Sequence, residues 1–376
     1  MNLLATRLQQ EIEQSGPITF ARFMERALYE PELGYYERQK EIGRRGDFFT
    51  SVSVGNLFGK LLAFQFSEWR NDDCELSEKQ KSPFQIVEAG AHDGRLAADI
   101  LKWFHEFRPE FFSKLEYWII EPSATRRQWQ QKTLADFAPQ IKWAADISKF
   151  AVETNCESTG VNGIIFSNEL LDAMPVHRLR WNAAEKKWRE CVVGWNGQKF
   201  IWELAQPISK IADQLPQLPD ELTAILPDGF TTEISPAATD WWRQAVAVLN
   251  RGKLLTIDYG LTQEEFFLPE RSRGTLRAFA QHHFNEDLLA NVGEQDLTTH
   301  INFSALQIAG ENAGLQTEGL IAQSKFLTRI AERTWKEPEH FGKWTAERVK
   351  QFQTLTHPEH LGRSFRALIQ ARAVEK

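Results

Sequence analysis

The sequence is poor in cysteine and has no long apolar run. Cys74, Cys156 and Cys191 are its three cysteines, an odd number at spacings that match neither a disulfide framework nor a zinc site. No stretch of 18 apolar residues occurs, so no membrane span is expected. Glu11 and Glu13 stand early in the chain, unlike the composition of a secretory or transit peptide. We therefore expect a protein of a reducing compartment, the cytoplasm.

The chain also lacks an excess of basic residues. It has 44 Lys and Arg against 51 Asp and Glu, a formal net charge of −7, which argues against nucleic acid or an anionic membrane as partner. Large apolar side chains are abundant, with 13 Trp and 26 Phe, so the chain is not disordered. Its 376 residues exceed the ~250–300 at which one core stops growing. One large domain with additions, or two domains, is expected.

Short apolar runs that end in polar residues alternate with helical segments in the second part of the chain. The runs are residues 84–88, 117–121, 163–167 and 253–258. This alternation is typical of a parallel sheet covered on both faces and predicts a doubly wound α/β fold. A ligand then lies outside the carboxyl ends of the strands. The polar residues at these ends are Glu88, Glu121, Asn168 and Asp258.

The pattern also predicts how the chain is divided. Residues 1–82 are expected to form an N-terminal helical cap with a covering loop, and residues 83–376 the core. Apolar residues at helical spacing on both sides of Gly16-Pro17 predict two N-terminal helices. An insertion at about 178–235 contains a β-hairpin with its turn at Asn196-Gly197, a strong hairpin signal. A loop-rich segment is expected at about 260–300.

The first apolar run leads into a glycine-containing turn, Gly90-Ala91-His92-Asp93-Gly94. Glycine lets a backbone come close to a ligand, and the amides that begin the next helix attract an anionic group. Alone, such a turn is as often an ordinary tight turn. However, the second run ends in Glu121, and a carboxylate at that position accepts hydrogen bonds from both ribose hydroxyls of a nucleotide-like ligand.

The phosphate-binding motifs of nucleotide enzymes are missing. Neither Gly-x-x-x-x-Gly-Lys-Ser/Thr nor Gly-x-Gly-x-x-Gly is present, so a nucleoside without phosphates fits better. S-adenosylmethionine is such a ligand. Its sulfonium is already activated, which leaves the protein to align the acceptor and exclude water. No histidine or cysteine pair has a convincing zinc spacing, and no metal is expected.

Further sequence blocks lie before and after this turn. They occur in a recognisable order over about residues 17–305. They are residues 30–36, EPELGYY; 46–51, GDFFTS; 58–59, FG; 88–101; 121–123, EPS; 168–177, NELLDAMPVH; 258–260, DYG; 274–277, GTLR; and 293–298, GEQDLT. With these blocks the chain resembles the MidA family of class I S-adenosylmethionine-dependent methyltransferases. That family is related to the mitochondrial complex I assembly factor that methylates arginine.

The resemblance implies a cofactor site. A loop with Gly46, Asp47, Thr50 and Ser51 would fold over S-adenosylmethionine, although Thr50 or Ser51 could instead cap a helix. The remaining implied cofactor residues are Gly90 and Gly94 for the methionine end, Glu121 for the ribose, Asp146 for the adenine amino group, and Glu88, Pro122, Ser123 and Asn168 without an assigned part of the ligand. Asp146 could equally be a helix N-cap.

The resemblance also implies an acceptor site at residues 168–177. Beside Asn168, the carboxylates of Glu169 and Asp172 would hold a guanidinium in a bidentate manner, or would merely favour a helix N-terminus. His177 would relay a proton, or is a polar histidine satisfied within the core. The implied acceptor is an arginine of a partner protein, such as a respiratory complex I subunit.

One residue departs from the family. The turn usually has glycine where His92 stands, and a side chain there would crowd the cofactor or shift the loop. Two alternatives to a protein arginine methyltransferase therefore stay open. One is a non-catalytic assembly factor or binding module that keeps the fold, and the other is a methyltransferase acting on a small molecule.

Overall fold

The computed structural model describes residues 1–38, 50–73, 83–150, 160–208, 211, 214–280, 283–359, 361–362 and 364–372. By their contacts the residues form two compact units. The accessory unit comprises Met1–Lys40, Asp172–Asp240 and Gly260–Ala305, and the sheet unit comprises Glu41–Leu171, Trp241–Tyr259 and Leu306–Lys376. None of the helices in these described ranges is both long and apolar enough to cross a membrane.

A mixed β-sheet is central to the sheet unit. Within the described ranges, its strands lie in the order Gln316–Ala322, Phe365–Arg372, Leu249–Leu261, Val161–Asn168, Gln85–Ala89, Glu116–Ile120 and Ile141–Ala144. The last five are parallel to one another, as the four apolar runs among them predict. Phe365–Arg372 runs antiparallel to both strands beside it.

The sheet is therefore mixed, and the antiparallel strands at one edge were not predicted. Strand direction is not encoded in an apolar run, because a strand buried on both faces has the same composition in either direction. Ala367 and Leu368 in the antiparallel strand are fully buried, like the centres of the parallel strands. The fold class, α/β, is unaffected.

Amphipathic helices pack on this sheet. Arg95–Phe107 buries Leu96, Ile100, Leu101 and Phe104 at helical spacing. Leu57–Asp73 contributes a row of buried side chains to the same core cluster and lies in the sheet unit. The other helices that lie wholly or partly in the sheet unit are Pro109–Phe112, Ala124–Thr133, Pro236–Val248, Phe303–Asn312, Gln323–Lys336, Pro338–Phe341 and Ala346–Thr356.

The accessory unit begins with the two predicted helices, Leu3–Ser15 and Phe20–Tyr29. The side chain of Asn2 accepts a hydrogen bond from the amide of Ala5 at 2.9 Å, which satisfies one of the free donors at the helix start. The inward faces form one core cluster with residues from the rest of the unit. Short helices in this unit are Tyr35–Arg38, Asp220–Ile225 and Gln263–Phe266.

An antiparallel sheet occupies the middle of the accessory unit. Its strands are Ile18–Thr19, Lys187–Trp195, His177–Asn182 and Thr231–Ile234, with Phe200–Ala205 also paired to Lys187–Trp195. The hairpin turn lies at the predicted position: Gly197 has φ +91°, and Asn196 Oδ1 accepts from the amides of Gln198 and Lys199 at 3.0 and 2.9 Å.

The segment expected to be loop-rich contains short strands. Arg277–Ala280 pairs with both His283–Asn285 and Asp296–Thr298, and Ile301–Asn302 pairs with the end of the long strand at Gly260 and Leu261. Strands of two to four residues are too short to show a period in sequence, which explains why they were not predicted.

Candidate cofactor site

The order of the sheet reverses between Gln85–Ala89 and Val161–Asn168. The chain proceeds outward from the first of these strands to Glu116–Ile120 and Ile141–Ala144, then returns to Val161–Asn168 on the first strand's other side. Ligands of open α/β sheets bind outside the carboxyl ends of the strands at such a reversal. The sequence-predicted location of the ligand therefore coincides with this point.

An open pocket lies at that reversal. It contains about 550 Å³ of empty space, including the part open to solvent. The residues that line it follow both strands or belong to one loop: Thr50, Val52, Ser53, Glu88, Gly90, Ala91, His92, Asp93, Arg95, Leu96, Asn168 and Glu169.

The turn after the first strand has the backbone conformation that glycine favours. Gly90 has φ +77°, Gly94 has φ +85°, and His92 between them has φ +45°. A positive φ carries little steric penalty for glycine, but it carries a larger one for residues with a Cβ atom. The family's usual glycine at the position of His92 thus has a physical reason, and His92 is a strained substitute. Gly94 is the N-cap of the next helix, a Cβ atom there would lie 3.2 Å from Cδ1 of Leu134, and Gly94 is not among the lining residues.

Glu88 presents a buried carboxyl group at this pocket. Its Oε2 accepts a hydrogen bond of 2.6 Å from the hydroxyl of Tyr117. Burial raises the pKa of Glu88 to about 7, and the bond from Tyr117 only partly opposes this effect. The group therefore changes charge near neutral pH.

This titration predicts a pH-dependent stability. Because the folded-state pKa of about 7 lies above the ordinary 4.5, the contribution of Glu88 is most favourable below pH 4.5 and falls as pH rises through 7. The loss amounts to up to about 3 kcal/mol. Urea unfolding at pH 5 and pH 8 should show a larger drop in the free energy of unfolding for the wild type than for Glu88→Gln. Equal drops in the two proteins would contradict the assignment.

Asn168 and Glu169 line the pocket at the carboxyl end of the strand Val161–Asn168. Asn168 Nδ2 donates to Glu169 Oε1 at 3.1 Å, and the amide of Ser51 donates to the same oxygen at 3.0 Å. Asn168 Oδ1 is buried and accepts no hydrogen bond from the described residues. Glu169 has φ +51°, and Asp258 Oδ2 accepts from the amide of Leu171 at 3.0 Å, which fixes this turn.

The covering loop is only partly described. Gly46 and Asp47 lie outside the described residues. Thr50 lines the pocket, whereas the hydroxyl of Ser51 is fully buried and donates to Gln323 Oε1 at 3.2 Å. Ser51 thus contacts the helix Gln323–Lys336 through its side chain and Glu169 through its amide.

Glu121 is buried behind the pocket lining and is itself hydrogen bonded. Its Oε1 accepts from the amide of Ser123 at 2.9 Å and from Nε of Arg126 at 3.0 Å, and its Oε2 accepts from Gln130 Nε2 at 3.2 Å. The hydroxyl of Ser123 caps the following helix at the amide of Arg126. Neither Glu121, Pro122 nor Ser123 is among the lining residues.

Asp146 also lies away from the lining residues. Its Oδ1 accepts from the amide of Ser148 at 2.8 Å, where it caps a short 3-10 helix, Ile147–Lys149. This geometry is the N-cap alternative of the sequence analysis; a contact to adenine stays a prediction.

Two of the predicted acceptor residues belong to the accessory unit. The carbonyl of Asp172 accepts from the amide of Thr299 at 2.9 Å. His177 begins a strand, and its Nδ1 lies 2.6 Å from Oε1 of the fully buried Glu190. That contact matches a polar histidine satisfied within the core, and the proton relay stays a prediction.

Sequence reasoning did not assign several lining residues to the site. Asp93 and Arg95 could have been predicted, since they lie in and directly after the glycine-containing turn. In the structure, Arg95 Nε contacts Asp93 Oδ2 at 2.6 Å. Burial opposes ionisation of Asp93, but its bonds to His92 and Arg95 outweigh burial and hold its pKa below the ordinary value. Val52 and Ser53 had no sequence signal, because only tertiary packing brings their loop to the turn.

The pocket's chemistry fits S-adenosylmethionine. Asn168 Oδ1, an acceptor without a hydrogen bond among the described residues, suits the ammonium of an amino-acid end. The amide of Arg95, which begins the helix Arg95–Phe107, donates to Asp93 Oδ1 at 3.2 Å, and the amides that follow it in the first turn suit a carboxylate. The fold and this site define the class as an α/β S-adenosylmethionine-dependent methyltransferase.

Comparisons with known proteins identify the family within that class. The sequence model of a family described as S-adenosyl-L-methionine-dependent methyltransferases matches residues 62–321, and the chain belongs to this family. A crystal structure from Burkholderia thailandensis bound to S-adenosyl-homocysteine is 28% identical with a TM-score of 0.80, covering 99% of this chain and 92% of that one.

Curated relatives agree with this assignment. The Drosophila melanogaster protein named "Protein arginine methyltransferase NDUFAF7 homolog, mitochondrial" is 28% identical over 97% of this chain and 84% of its own length. The human "Protein arginine methyltransferase NDUFAF7, mitochondrial" is 26% identical over 86% of this chain and 72% of its own. The chain is thus a methyltransferase that uses S-adenosylmethionine.

Proposed function

We propose that the protein transfers a methyl group from S-adenosylmethionine to an arginine side chain of a partner protein. The observation that carries this proposal is the position of Glu169, a carboxylate in the lining of the same pocket as the glycine turn. A carboxylate orients a guanidinium through paired hydrogen bonds. The names of the relatives support the same acceptor.

The residues that would hold the cofactor follow from the pocket. Gly90 and the amides at the start of Arg95–Phe107 would bind the carboxylate of its methionine end, and Asn168 Oδ1 its ammonium. Glu121 would hold the ribose through the acceptor capacity of Oε2 beyond its bond to Gln130. Gly46, Asp47, Thr50, Asp146, Pro122 and Ser123 remain predicted contacts of the cofactor.

When bound, S-adenosylmethionine supplies a methyl group on a positively charged sulfur. Attack needs a nitrogen lone pair, so the acceptor guanidinium would lose a proton to Glu169 or to water. As the bond between this nitrogen and the methyl carbon forms, the bond between the methyl carbon and sulfur would break, and the sulfur would keep the electron pair in S-adenosylhomocysteine. Glu169, with Asp172 as a second predicted carboxylate, would orient the acceptor nitrogen. The transfer then depends mainly on alignment and on exclusion of water.

The finer organisation is part of the proposal. The N-terminal helices would act as a cap, and residues of about 178–235 would be an insertion into the methyltransferase core. Both segments belong to the accessory unit, which supports their separation from the core. The division of cap from core at residue 82 stays a prediction.

Partner and location follow from sequence and relatives. A subunit of respiratory complex I remains the predicted class of acceptor. Cytoplasmic location also stays a prediction, based on the low cysteine content; the printed names of the relatives describe those proteins as mitochondrial.

Methyl transfer to protein arginine can be measured directly. Purified protein, labelled S-adenosylmethionine and a protein extract from the source cell should yield label in methylarginine after hydrolysis. Glu169→Gln should lower kcat about tenfold, with the affinity for S-adenosylhomocysteine within about twofold of the wild type. The exposed Glu185 provides a matched control, since Glu185→Gln should change neither quantity.

The possible outcomes separate the candidate functions. Label on lysine or only on a small molecule would overturn the arginine assignment while leaving the methyltransferase class intact. Tight cofactor binding without transfer to any cellular protein would favour a non-catalytic assembly factor, the alternative that the strained His92 keeps open.

A further inference from the structure

A buried glutamine joins the turn of the pocket to Glu121. Gln130 is fully buried, and its Nε2 donates to the carbonyl of His92 at 3.0 Å and to Glu121 Oε2 at 3.2 Å. Its Oε1 accepts from Trp143 Nε1 at 2.9 Å. All hydrogen-bonding atoms of this side chain are therefore used, and the amide can be oriented in only one way.

The residue before it also contacts the turn. The ring of Trp129 lies 5.8 Å from the ring of His92, in a tilted arrangement. Trp129 and Gln130 stand side by side in the helix Ala124–Thr133, so one short segment holds both the side chain and the carbonyl of His92.

These contacts with Trp129 and Gln130 are needed because His92 has φ +45°. A side chain in this region persists only where the surroundings determine the conformation. Glycine would adopt it without support. The departure from the family's glycine therefore has a compensating contact within this chain.

We propose that Gln130 is a positioning residue of the cofactor site: with Trp129 it fixes the His92 turn, and through the same amide it orients the Glu121 carboxylate. Gln130 itself is not among the lining residues of the pocket and acts through these two groups. The inference rests on the cofactor site proposed above, and it adds a residue that neither the glycine turn nor the ribose carboxylate identified.

Calorimetric titration with S-adenosylhomocysteine tests the proposal. Gln130→Met keeps the length of the side chain but removes its three hydrogen bonds, and it should raise Kd about tenfold with kcat at saturating cofactor within about twofold. The effect should fall below about threefold when the substitution is made in His92→Gly, because glycine needs no support. Trp143→Phe, which removes only the bond to Gln130 Oε1, should give a smaller rise.

Gln370 offers a matched control in the same unit. It is also fully buried and accepts from Trp242 Nε1 at 2.9 Å, so Gln370→Met removes a comparable network from a site away from the pocket lining. It should lower the melting temperature without changing Kd.

The outcomes are distinct. An unchanged Kd in folded Gln130→Met would overturn the inference while the cofactor site stands. So would a rise in Kd on Gln130→Met that is equally large in the wild type and in the His92→Gly variant. An equal rise in Gln370→Met would reduce the effect to general stability and also overturn it. No binding by the wild type would overturn the proposed site and this inference together.

Discussion

Gly90→Val is expected to raise the Kd for S-adenosylhomocysteine at least about 100-fold. Gly90 lines the pocket at φ +77°, where a β-branched residue is a strong outlier. A Cβ atom there would lie 2.9 Å from Cδ1 of Leu170. The neighbouring Asn168 and Glu169 would then be displaced with Leu170. Calorimetric titration measures the loss.

Gly197→Val provides the control for backbone strain. Gly197 has φ +91° in the hairpin turn, and a Cβ atom there would meet nothing within 4 Å. Both substitutions should destabilise the fold by about 1–3 kcal/mol through the backbone. Only the change at Gly90 should affect binding. Equal affinity in the two variants would show that the turn does not form the cofactor site.

The second large effect is expected at Glu121. Glu121→Ala removes a carboxylate that contacts the buried guanidinium of Arg126 at 2.9 Å, and breaking a buried pair on one side lowers the free energy of unfolding by about 3–5 kcal/mol. If Oε2 holds the ribose, Kd should also rise at least about 30-fold, since charged hydrogen bonds contribute about 1.5–3 kcal/mol each. Urea unfolding and calorimetry measure the two quantities.

A double variant separates the two roles. Glu121→Ala with Arg126→Met removes both charges, and the loss of a whole buried pair is often close to neutral. Stability should return toward that of the wild type while binding stays weak. Recovery of both would mean that Glu121 serves only to pair with Arg126.

The sequence predicts the parts of this molecule that local chemistry controls. Four of the five parallel strands, the Asn196-Gly197 hairpin and the two N-terminal helices follow from apolar runs, helical spacing and turn residues. The reversal of strand order places Glu88 and Asn168 on one pocket because the carboxyl ends of parallel strands meet at one edge of the sheet.

What sequence could not provide depends on tertiary contacts. The direction of Phe365–Arg372 is not written in its composition, and Val52 and Ser53 reach the pocket only through the folding of their loop. Glu121 likewise bonds to Arg126 and Gln130 only because the helix Ala124–Thr133 packs against the end of the strand Glu116–Ile120. The resemblance pointed to the ribose carboxylate but not to its surroundings.

Hydrogen exchange with and without S-adenosylhomocysteine tests most directly whether the cofactor lies at this turn. Protection is expected in peptides that cover residues 86–97 and 164–170, because both line the pocket, and none is expected at the hairpin turn, residues 195–200. Binding without protection of residues 86–97 would contradict the site described here.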